Sequence, residues 1–446
     1  MVKLTRFIAI FLAVLCLTGC RRQTGWIRQD GKTVYADENG KLVTGWLELD
    51  GSIYYFGSDN AMATGWHTVD GNRHFFSQDG KLCSGWVETD GGTYYLLENG
   101  IPVTGWMSGG DTRYYFGADG AMTRGWAEIG GDRYYFGPDG VMATGTLQLD
   151  GIIYLLGQDG KALTGWQTLE GRVFYCSTGG AMARGWTDIG GKRYYFQENG
   201  ALATGKLELE GKTYLLGQDG VMYTGWYTEE DKDYYYQPDG TMSVGKVLLD
   251  GQAYYFSPHG VHVMLVNPWN SLPADYDPDL VKVEFAKMSR ICADALVQML
   301  EDCRAAGYNP AICSGYRTQE EQEFLFNRKI KRVMAEGYDE EEAKILAAKE
   351  VAVPGTSEHQ LGLAIDLVDD DHWVLDKSQA ERPTQKWLME HCWEYGFILR
   401  YPVGSTEITG IIYEPWHYRY VGVEIALELR ELGITLEEYL GAADHE

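Results

Sequence analysis

The chain has 446 residues, of which 56 are glycine and 31 are tyrosine, and its formal charge is -26 at pH 7. This composition is too uneven for one uniform domain, so we expect at least two architectures. The acidic balance argues against the clustered Lys and Arg that neutralise a nucleic-acid backbone, so we expect no nucleic-acid partner.

Residues 1–20 have the pattern of an export signal. Lys3 and Arg6 precede the apolar residues 7–17, a run too short for a membrane-spanning helix with its flanks. The Leu-Thr-Gly-Cys segment that ends at Cys20 resembles the lipobox of bacterial lipoproteins, which implies cleavage before Cys20 and a lipid on its sulfur. We therefore expect an exported protein, anchored to the outer face of the bacterial membrane or held in the cell wall. An ordinary secretory signal is the alternative.

Residues 21–264 repeat with a period of twenty. Glycine recurs twelve times at this spacing from position 25 to position 245, and Trp follows it in nine units. Each unit contains two short aromatic runs separated by glycine turns, which predicts a β-hairpin. One hairpin cannot bury its aromatic face alone, so we predict an all-β solenoid of about twelve stacked hairpins. Trp is replaced in three units, by Thr146, Lys206 and Lys246.

The closing turn of each unit carries glycine at every twentieth position from 40 to 260, with Asn60 as the exception. Glycine and asparagine both tolerate a positive φ, so we predict that conformation there.

These units resemble the choline-binding, or cell-wall-binding, repeats of Gram-positive surface proteins and the related glucan-binding repeats. The resemblance implies aromatic cages that hold a quaternary ammonium group by cation-π attraction. Choline-bearing teichoic acid is then the expected ligand, while a glycan stacked on the rings and a plain solenoid core are the alternatives. Two candidate cages are Trp126 with Tyr134 and Tyr135, and Trp186 with Tyr194 and Tyr195.

Residues 265–446 contain the donor set of a catalytic zinc site. The segment SEHQLGLAID at 357–366 is followed by EPWH at 414–417. His359, Asp366 and His417 would supply two imidazoles and one carboxylate, which leaves a fourth zinc position open for water. Glu414 is the predicted base for that water.

The order Ser-x-His, then Asp, then a distant Glu-x-x-His resembles the VanY-type D-alanyl-D-alanine carboxypeptidases. LVNPWN at 265–270, SGYRT at 314–318 and GFILRYP at 396–402 extend the resemblance over about residues 265–440. It implies a Zn²⁺-dependent carboxypeptidase that removes the terminal D-Ala of peptidoglycan stem peptides. Arg317 would stabilise the oxyanion or bind the substrate's terminal carboxylate. The other residues expected at the substrate site are Gln322, Ser357, Tyr401 and Trp416.

Apolar spacing predicts helices at 279–306, 338–351 and 383–395. Strand-like runs at 310–314, 363–368 and 411–413 complete a predicted α+β domain with a small antiparallel sheet. The predicted division of the chain is a signal at 1–20, the repeat array at 21–264 and the zinc peptidase domain at 265–446.

Two other functions compete with this interpretation. An L,D-carboxypeptidase that acts on tetrapeptide stems would share the same motifs. A surface-binding protein with a catalytically silent peptidase domain is the second alternative, and the intact Glu414 and metal ligands count against it.

Overall fold

The computed structural model describes residues 22–444, so Cys20 lies outside the described part. Two compact units divide the described chain. The first contains residues up to Gly185 together with Phe196–Leu202, and the second contains Trp186–Tyr195 and the chain from Ala203 onward. The second unit therefore includes the last three hairpins as well as the α+β domain. Within residues 22–444, no helix has both the length and the apolar character needed to cross a bilayer.

Residues 25–256 form twelve antiparallel hairpins, each with two five-residue strands and a two-residue turn. The prediction of about twelve hairpins followed by a small α+β domain is confirmed. The strands are β1 Gly25–Gln29, β2 Lys32–Ala36, β3 Gly45–Leu49, β4 Ser52–Phe56, β5 Gly65–Val69, β6 Asn72–Phe76, β7 Gly85–Thr89, β8 Gly92–Leu96, β9 Gly105–Gly109, β10 Thr112–Phe116, β11 Gly125–Ile129, β12 Asp132–Phe136, β13 Gly145–Leu149, β14 Ile152–Leu156, β15 Gly165–Leu169, β16 Arg172–Cys176, β17 Gly185–Ile189, β18 Lys192–Phe196, β19 Gly205–Leu209, β20 Lys212–Leu216, β21 Gly225–Glu229, β22 Lys232–Tyr236, β23 Gly245–Leu249 and β24 Gln252–Phe256.

Neighbouring hairpins are joined by backbone hydrogen bonds and by buried aromatic rings. The Met142 amide, in the loop after β12, donates to the Arg113 carbonyl of the preceding hairpin at 2.8 Å. Tyr134 and Phe136 of β12 are buried beside Met142. Stacking thus supplies each hairpin with the apolar cover that it cannot provide for itself.

The closing turns require glycine for two reasons. Gly80 has φ +80°, and a Cβ there would lie 2.2 Å from the sulfur of Met62. Asn60 adopts φ +59°, as its sequence position predicted. Its amide donates to the Val43 carbonyl at 3.1 Å, which uses the polar side chain that glycine lacks.

The α+β domain is built on a four-stranded antiparallel sheet whose strands lie in the order Pro310–Ser314, Ala364–Asp369, His417–Tyr420 and Phe397–Leu399. Short 3-10 helices lie at Glu358–Leu361, Lys377–Glu381 and Cys392–Tyr395. The other elements are β25 Leu280–Val283, β26 Ala286–Ser289, α1 Arg290–Ala305, β27 Pro310–Ser314, α2 Gln319–Ala335, α3 Glu340–Ala348, β28 Ala364–Asp369, α4 Pro383–His391, β29 Phe397–Leu399, α5 Thr406–Thr409, β30 His417–Tyr420, α6 Val423–Leu432 and α7 Leu436–Tyr439.

Two predicted elements were wrong. Residues 280–289 form the hairpin of β25 and β26 instead of the first turns of a helix, because Val281, Val283 and Met288 alternate with polar residues at the period of a strand. Residues 411–413 do not form a strand. The final strand begins at His417, so this side chain is held by the sheet itself.

The core of the domain lies between α1 and the sheet. The buried face of α1 carries Cys292, Leu296 and Met299, which pack in one cluster with Ile312 of β27 and Leu367 of β28. The sheet is therefore packed against α1, which holds the central strands that carry Asp366 and His417 in place.

Candidate metal centre

The three predicted metal ligands lie together at the central strands of the sheet. Asp366 of β28 and His417 of β30 are directly paired in the strand register. His359 lies in the 3-10 turn at 358–361, immediately before β28. Their donor atoms all lie within 4.8 Å of one another, and all three side chains are buried.

The carboxylate of Asp366 bridges the two imidazoles. Its Oδ2 lies 3.1 Å from Nε2 of His359, and its Oδ1 lies 3.1 Å from Nδ1 of His417. Nδ1 of His359 is 2.8 Å from the Gly315 carbonyl, which fixes the ring with Nε2 toward the cluster. The backbone at Gly315 also packs closely against the Lys287 carbonyl. A Cβ at Gly315 would lie 2.8 Å from that carbonyl, so glycine is required for this contact.

The donor set fits a zinc ion. Two imidazoles and one carboxylate are the ligands of many catalytic zinc sites. Nε2 of His359, Nδ1 of His417 and the Asp366 carboxylate converge in this cluster, while Nε2 of His417 points away from it and lies 3.6 Å from Oε2 of Glu358. Three such donors that face one another at a buried position meet the requirements of a bound zinc ion.

The surroundings shift the pKa values of the groups at the cluster. Burial raises the pKa of Glu414, whose Oε2 is 3.9 Å from Nδ1 of His417, to about 8. Burial and the Arg317 charge lower the pKa of His359 to about 4, against the effect of Asp366. Burial also opposes the charged form of His417, but hydrogen bonding to Asp366 and the nearby Glu358 carboxylate outweigh it and raise its pKa to about 9.

These shifts predict that zinc binding releases a proton. The imidazole of His417 must be neutral to bind a metal, whereas its pKa of about 9 keeps it charged at pH 7 in the metal-free protein. We expect release of about one proton from this ring, and an affinity that falls about tenfold for each pH unit below 9. Calorimetry in two buffers of different ionisation enthalpy measures the release, and Glu414→Gln removes any contribution of that carboxyl. Heats that do not depend on the buffer would contradict the prediction.

Arg317 lies between the cluster and an open hollow. Its Nη2 donates to Asp366 Oδ2 at 2.7 Å and its Nε donates to Ser314 Oγ at 2.8 Å. It lies just before Thr318, the N-cap of α2, and a capping box between Thr318 and Glu321 fixes the start of that helix. The Arg317 side chain is 18% exposed and borders a hollow of 410 Å³, which Glu320 and Glu321 also line.

Gln322, which the sequence placed at the substrate site, lies behind Arg317. Its side chain is fully buried, its Nε2 donates to the Ala352 carbonyl at 2.7 Å, and its Oε1 is 3.5 Å from Arg317 Nη1. It therefore contacts Arg317 from behind and does not face the hollow.

Ser357, Tyr401 and Trp416 are all buried next to metal-cluster residues. The Tyr401 ring lies 4.8 Å from the His417 ring, and its carbonyl accepts from the Glu414 amide at 3.2 Å. The Trp416 carbonyl accepts from Leu367 of β28 at 2.9 Å. These contacts fix the EPWH segment against the sheet.

A buried ionic network behind the cluster was not predicted. Arg400 makes a bidentate contact with Glu437 at 2.6 and 2.8 Å and donates to Glu358 Oε1 at 2.8 Å. Arg419 Nη1 lies 3.0 Å from the same Glu358 oxygen, and Asn267 donates to Glu437 at 3.1 Å. Burial opposes ionisation of Glu358, but the two arginines outweigh it and hold its pKa well below the usual range.

The sequence motifs contain part of this network. Asn267, Glu358 and Arg400 each lie inside a segment that the sequence singled out, although with no role assigned. Glu437 lies in α7 and had no sequence signal, because an acidic residue in a C-terminal helix is usually solvated.

The rings of the repeat array are grouped differently from the predicted cages. The Trp126 ring lies 5.2 Å from Tyr135 of its own hairpin and 4.8 Å from Tyr154 of the next. Tyr134 faces the other side of β12 and lies 5.0 Å from Trp106, because successive strand residues point to opposite faces. The guanidinium of Arg133 stands 4.1 Å above the Trp126 ring.

The second predicted cage follows the same pattern. The Trp186 ring lies 5.2 Å from Tyr195 and 4.9 Å from Tyr214 of the following hairpin. Tyr194 is buried. Arg193 lies 5.5 Å above Trp186.

Comparison with known families agrees with this organisation. The family model for D-alanyl-D-alanine carboxypeptidase VanY matches residues 286–423. A model for a cell wall binding repeat matches residues 224–242. Models for the choline-binding repeat match residues 23–62, 63–101, 103–146, 123–163, 163–207 and 183–224.

Curated relatives extend the match. A D-alanyl-D-alanine carboxypeptidase of Enterococcus faecalis is 44% identical over 180 residues, which are 40% of this chain and 65% of the relative. The bifunctional D-Ala-D-Ala dipeptidase and D-Ala-D-Ala carboxypeptidase VanXYC of Enterococcus gallinarum is 40% identical over 143 residues, which are 30% of this chain and 70% of the relative. The chain belongs to the VanY family.

Among solved structures, a vancomycin resistance D,D-pentapeptidase VanY variant in complex with Zn(II) is 42% identical, with 40% of this chain and 97% of that chain covered and a TM-score of 0.37. The donor set of His359, Asp366 and His417 in this chain is one that Zn²⁺ accepts. The chain spans about two thirds of the Enterococcus faecalis relative, at 65%. It carries choline-binding repeats in addition to the VanY domain.

Proposed function

We propose that the chain is an exported zinc carboxypeptidase that removes the terminal D-Ala from D-Ala-D-Ala stem peptides of peptidoglycan. The observation that carries the proposal is the buried cluster of His359, Asp366 and His417 with the Glu414 carboxyl 3.9 Å from His417, in a VanY-family chain. His359, Asp366 and His417 would hold Zn²⁺. When bound, zinc supplies a Lewis acid that lowers the pKa of water and polarises a carbonyl oxygen.

Glu414 is the proposed general base and acid. It would take the proton from the attacking water and return it to the leaving amine of D-Ala. Burial raises the pKa of Glu414 to about 8 in the metal-free protein, and the positive charge of a bound Zn²⁺ would lower it and favour the carboxylate that takes up the proton. A carboxyl that can both accept and donate a proton meets the needs of both steps.

Arg317 is proposed to bind the terminal carboxylate of the substrate. Its guanidinium is partly exposed to the hollow of 410 Å³ while one side is held by Asp366. Arginine binds carboxylates through paired hydrogen bonds, which would select a peptide with a free C-terminus. Gln322 would position Arg317 from behind. Ser357, Tyr401 and Trp416 would shape the wall of the site.

The repeat array at 21–264 is proposed to hold the peptidase domain at 265–446 in the cell wall. Its ring pairs offer faces for a choline-bearing teichoic acid, and a glycan stacked on the same rings is the competing ligand. For the leader at 1–20, we propose export and a lipid anchor on Cys20, on the strength of its sequence pattern alone.

A comparison of two muropeptides tests the proposed specificity against the L,D-carboxypeptidase alternative. Zinc-restored protein is expected to release D-Ala from a pentapeptide ending in D-Ala-D-Ala at least about tenfold faster than from the matching tetrapeptide, a difference of about 1.4 kcal/mol in transition-state stabilisation. Faster release from the tetrapeptide would favour the L,D alternative. Release from neither would favour the silent surface-binding protein.

A further inference from the structure

The residue seven positions after each repeat Trp lies on the same face of the hairpin as the ring. In the sixth hairpin, Trp126 pairs with Tyr135 and Glu128 pairs with Arg133. Residues 126 and 128 share a face because side chains alternate along a strand. The side chain at position 133 therefore stands diagonally across from the indole and can reach over it.

Four of the nine repeats with Trp have arginine at this seventh position. The guanidinium carbons lie 3.9 Å (Arg73 over Trp66), 4.5 Å (Arg113 over Trp106), 4.1 Å (Arg133 over Trp126) and 5.5 Å (Arg193 over Trp186) from the ring centroids. At these distances the arginine occupies the place that a bound cation would take on the ring.

Two of these arginines are held by a second contact. Nη1 of Arg133 donates to the Gly179 carbonyl at 2.6 Å, and Nη1 of Arg73 donates to the Asp119 carbonyl at 3.3 Å. Both acceptors lie 46 residues further along the chain. A guanidinium with a ring on one side and a carbonyl acceptor on the other will leave the ring less readily than a free side chain.

The other five repeats have Thr33, Ile53, Thr93, Val173 or Asp233 at the seventh position, and none of these can act as a cation. Their indoles are the exposed ones, with exposed fractions of 42 to 48% for Trp26, Trp46, Trp86, Trp166 and Trp226. Trp66, Trp106, Trp126 and Trp186 are only partly exposed. Exposure of the ring thus follows the identity of one residue.

We propose that the residue seven positions after each repeat Trp divides the nine Trp rings into two kinds of site. Only the five rings without an arginine at that position bind a methylated ammonium cation. The inference rests on the proposed choline-binding role of the array and specifies which rings carry it out. At the other four, the chain's own guanidinium covers the indole and repels a second cation. Two of the covered rings are Trp126 and Trp186, the candidates that the sequence pattern had suggested.

The site at Trp226 is expected to bind the cation most tightly. Its ring lies 5.2 Å from Tyr235 and 5.3 Å from Tyr254, and a carboxylate, Asp233, takes the position of the arginine. Asp233 also lines a cavity of 620 Å³ together with Glu230, Asp231 and Lys232. Negative charge beside an open aromatic face adds Coulombic attraction for a cation.

Equilibrium dialysis of labelled choline against the full chain tests the proposal. The expected capacity is no more than five choline molecules per chain, and Arg133→Thr, which installs the residue found at positions 33 and 93, should add one. Arg172→Thr is the matched control, since it removes an exposed charge on the eighth hairpin without uncovering a ring. Asp233→Asn should weaken one of the five sites about fivefold.

A capacity near nine for the unmodified chain, or an unchanged capacity for Arg133→Thr with the fold intact by circular dichroism, would overturn the proposal while leaving choline binding itself in place. Binding of no choline by any variant would overturn the proposal together with the proposed ligand of the array. Caesium quenching of tryptophan fluorescence gives a second measurement, because Arg133→Thr must raise the accessible fraction if the arginine covers the ring.

Discussion

Substitution of Glu414 by Gln is expected to lower the turnover of D-Ala release by about 10²- to 10⁴-fold, the usual contribution of a positioned acid or base. Glutamine keeps the size and the hydrogen-bonding oxygen of the side chain but cannot take up or return a proton. The KM should change little, because Glu414 is proposed to act on the proton and not to hold the substrate.

The zinc content of the variant distinguishes loss of the proposed base from damage to the metal site. Glu414 is not among the three donors, so zinc content per chain should remain equal to that of the unmodified protein. Glu381→Gln, which alters an exposed carboxylate of the same domain, is the control and should retain full activity. If the Glu414→Gln variant binds zinc and keeps more than about a tenth of the original turnover, Glu414 has no part in the chemistry.

Substitution of Arg400 by Leu is expected to destabilise the α+β domain by about 3–5 kcal/mol, the range found when one partner of a buried ion pair is removed. Arg400 has no exposed side-chain surface, and its loss would leave Glu358 and Glu437 as buried carboxylates without their main counter-charge. Glu358 precedes the predicted ligand His359, so zinc affinity should fall as well.

Denaturant unfolding of the metal-free protein measures the change. Arg290→Leu is the matched control, because that arginine pairs with Asp279 on the surface and its removal should change stability little. The loss of stability for Glu437→Gln should lie between those for Arg400→Leu and Arg290→Leu, since an amide can still accept hydrogen bonds from Arg400. A loss below about 1 kcal/mol for Arg400→Leu would mean that the network contributes far less than breaking a buried pair usually costs.

The sequence predicted the features that have a fixed spacing. A twenty-residue period with paired aromatic runs led to the hairpins, and the positive φ of Asn60 followed from the residue type at one turn. The proposed ligands His359, Asp366 and His417 could be named because zinc chemistry restricts donors to a few residue types. The structure brings these side chains together through the pairing of β28 with β30.

The features that were missed depend on tertiary contacts. The segment before α1 was assigned to a helix, because a short apolar run fits the period of a helix as well as that of a strand. The pairing of β25 with β26 makes it a hairpin. Glu437 acquires its role only because α7 places it against Arg400. Arg133 stacks on Trp126 because the two positions lie diagonally across one hairpin. The spacing of the aromatic residues alone does not predict this contact.

The most direct measurement of the central claim is a zinc titration of the chelated protein with a pentapeptide ending in D-Ala-D-Ala. We predict that D-Ala release begins with the first added zinc, reaches its maximum at one equivalent per chain and leaves a tetrapeptide product. One equivalent of zinc bound at the cluster with no release of D-Ala would contradict it.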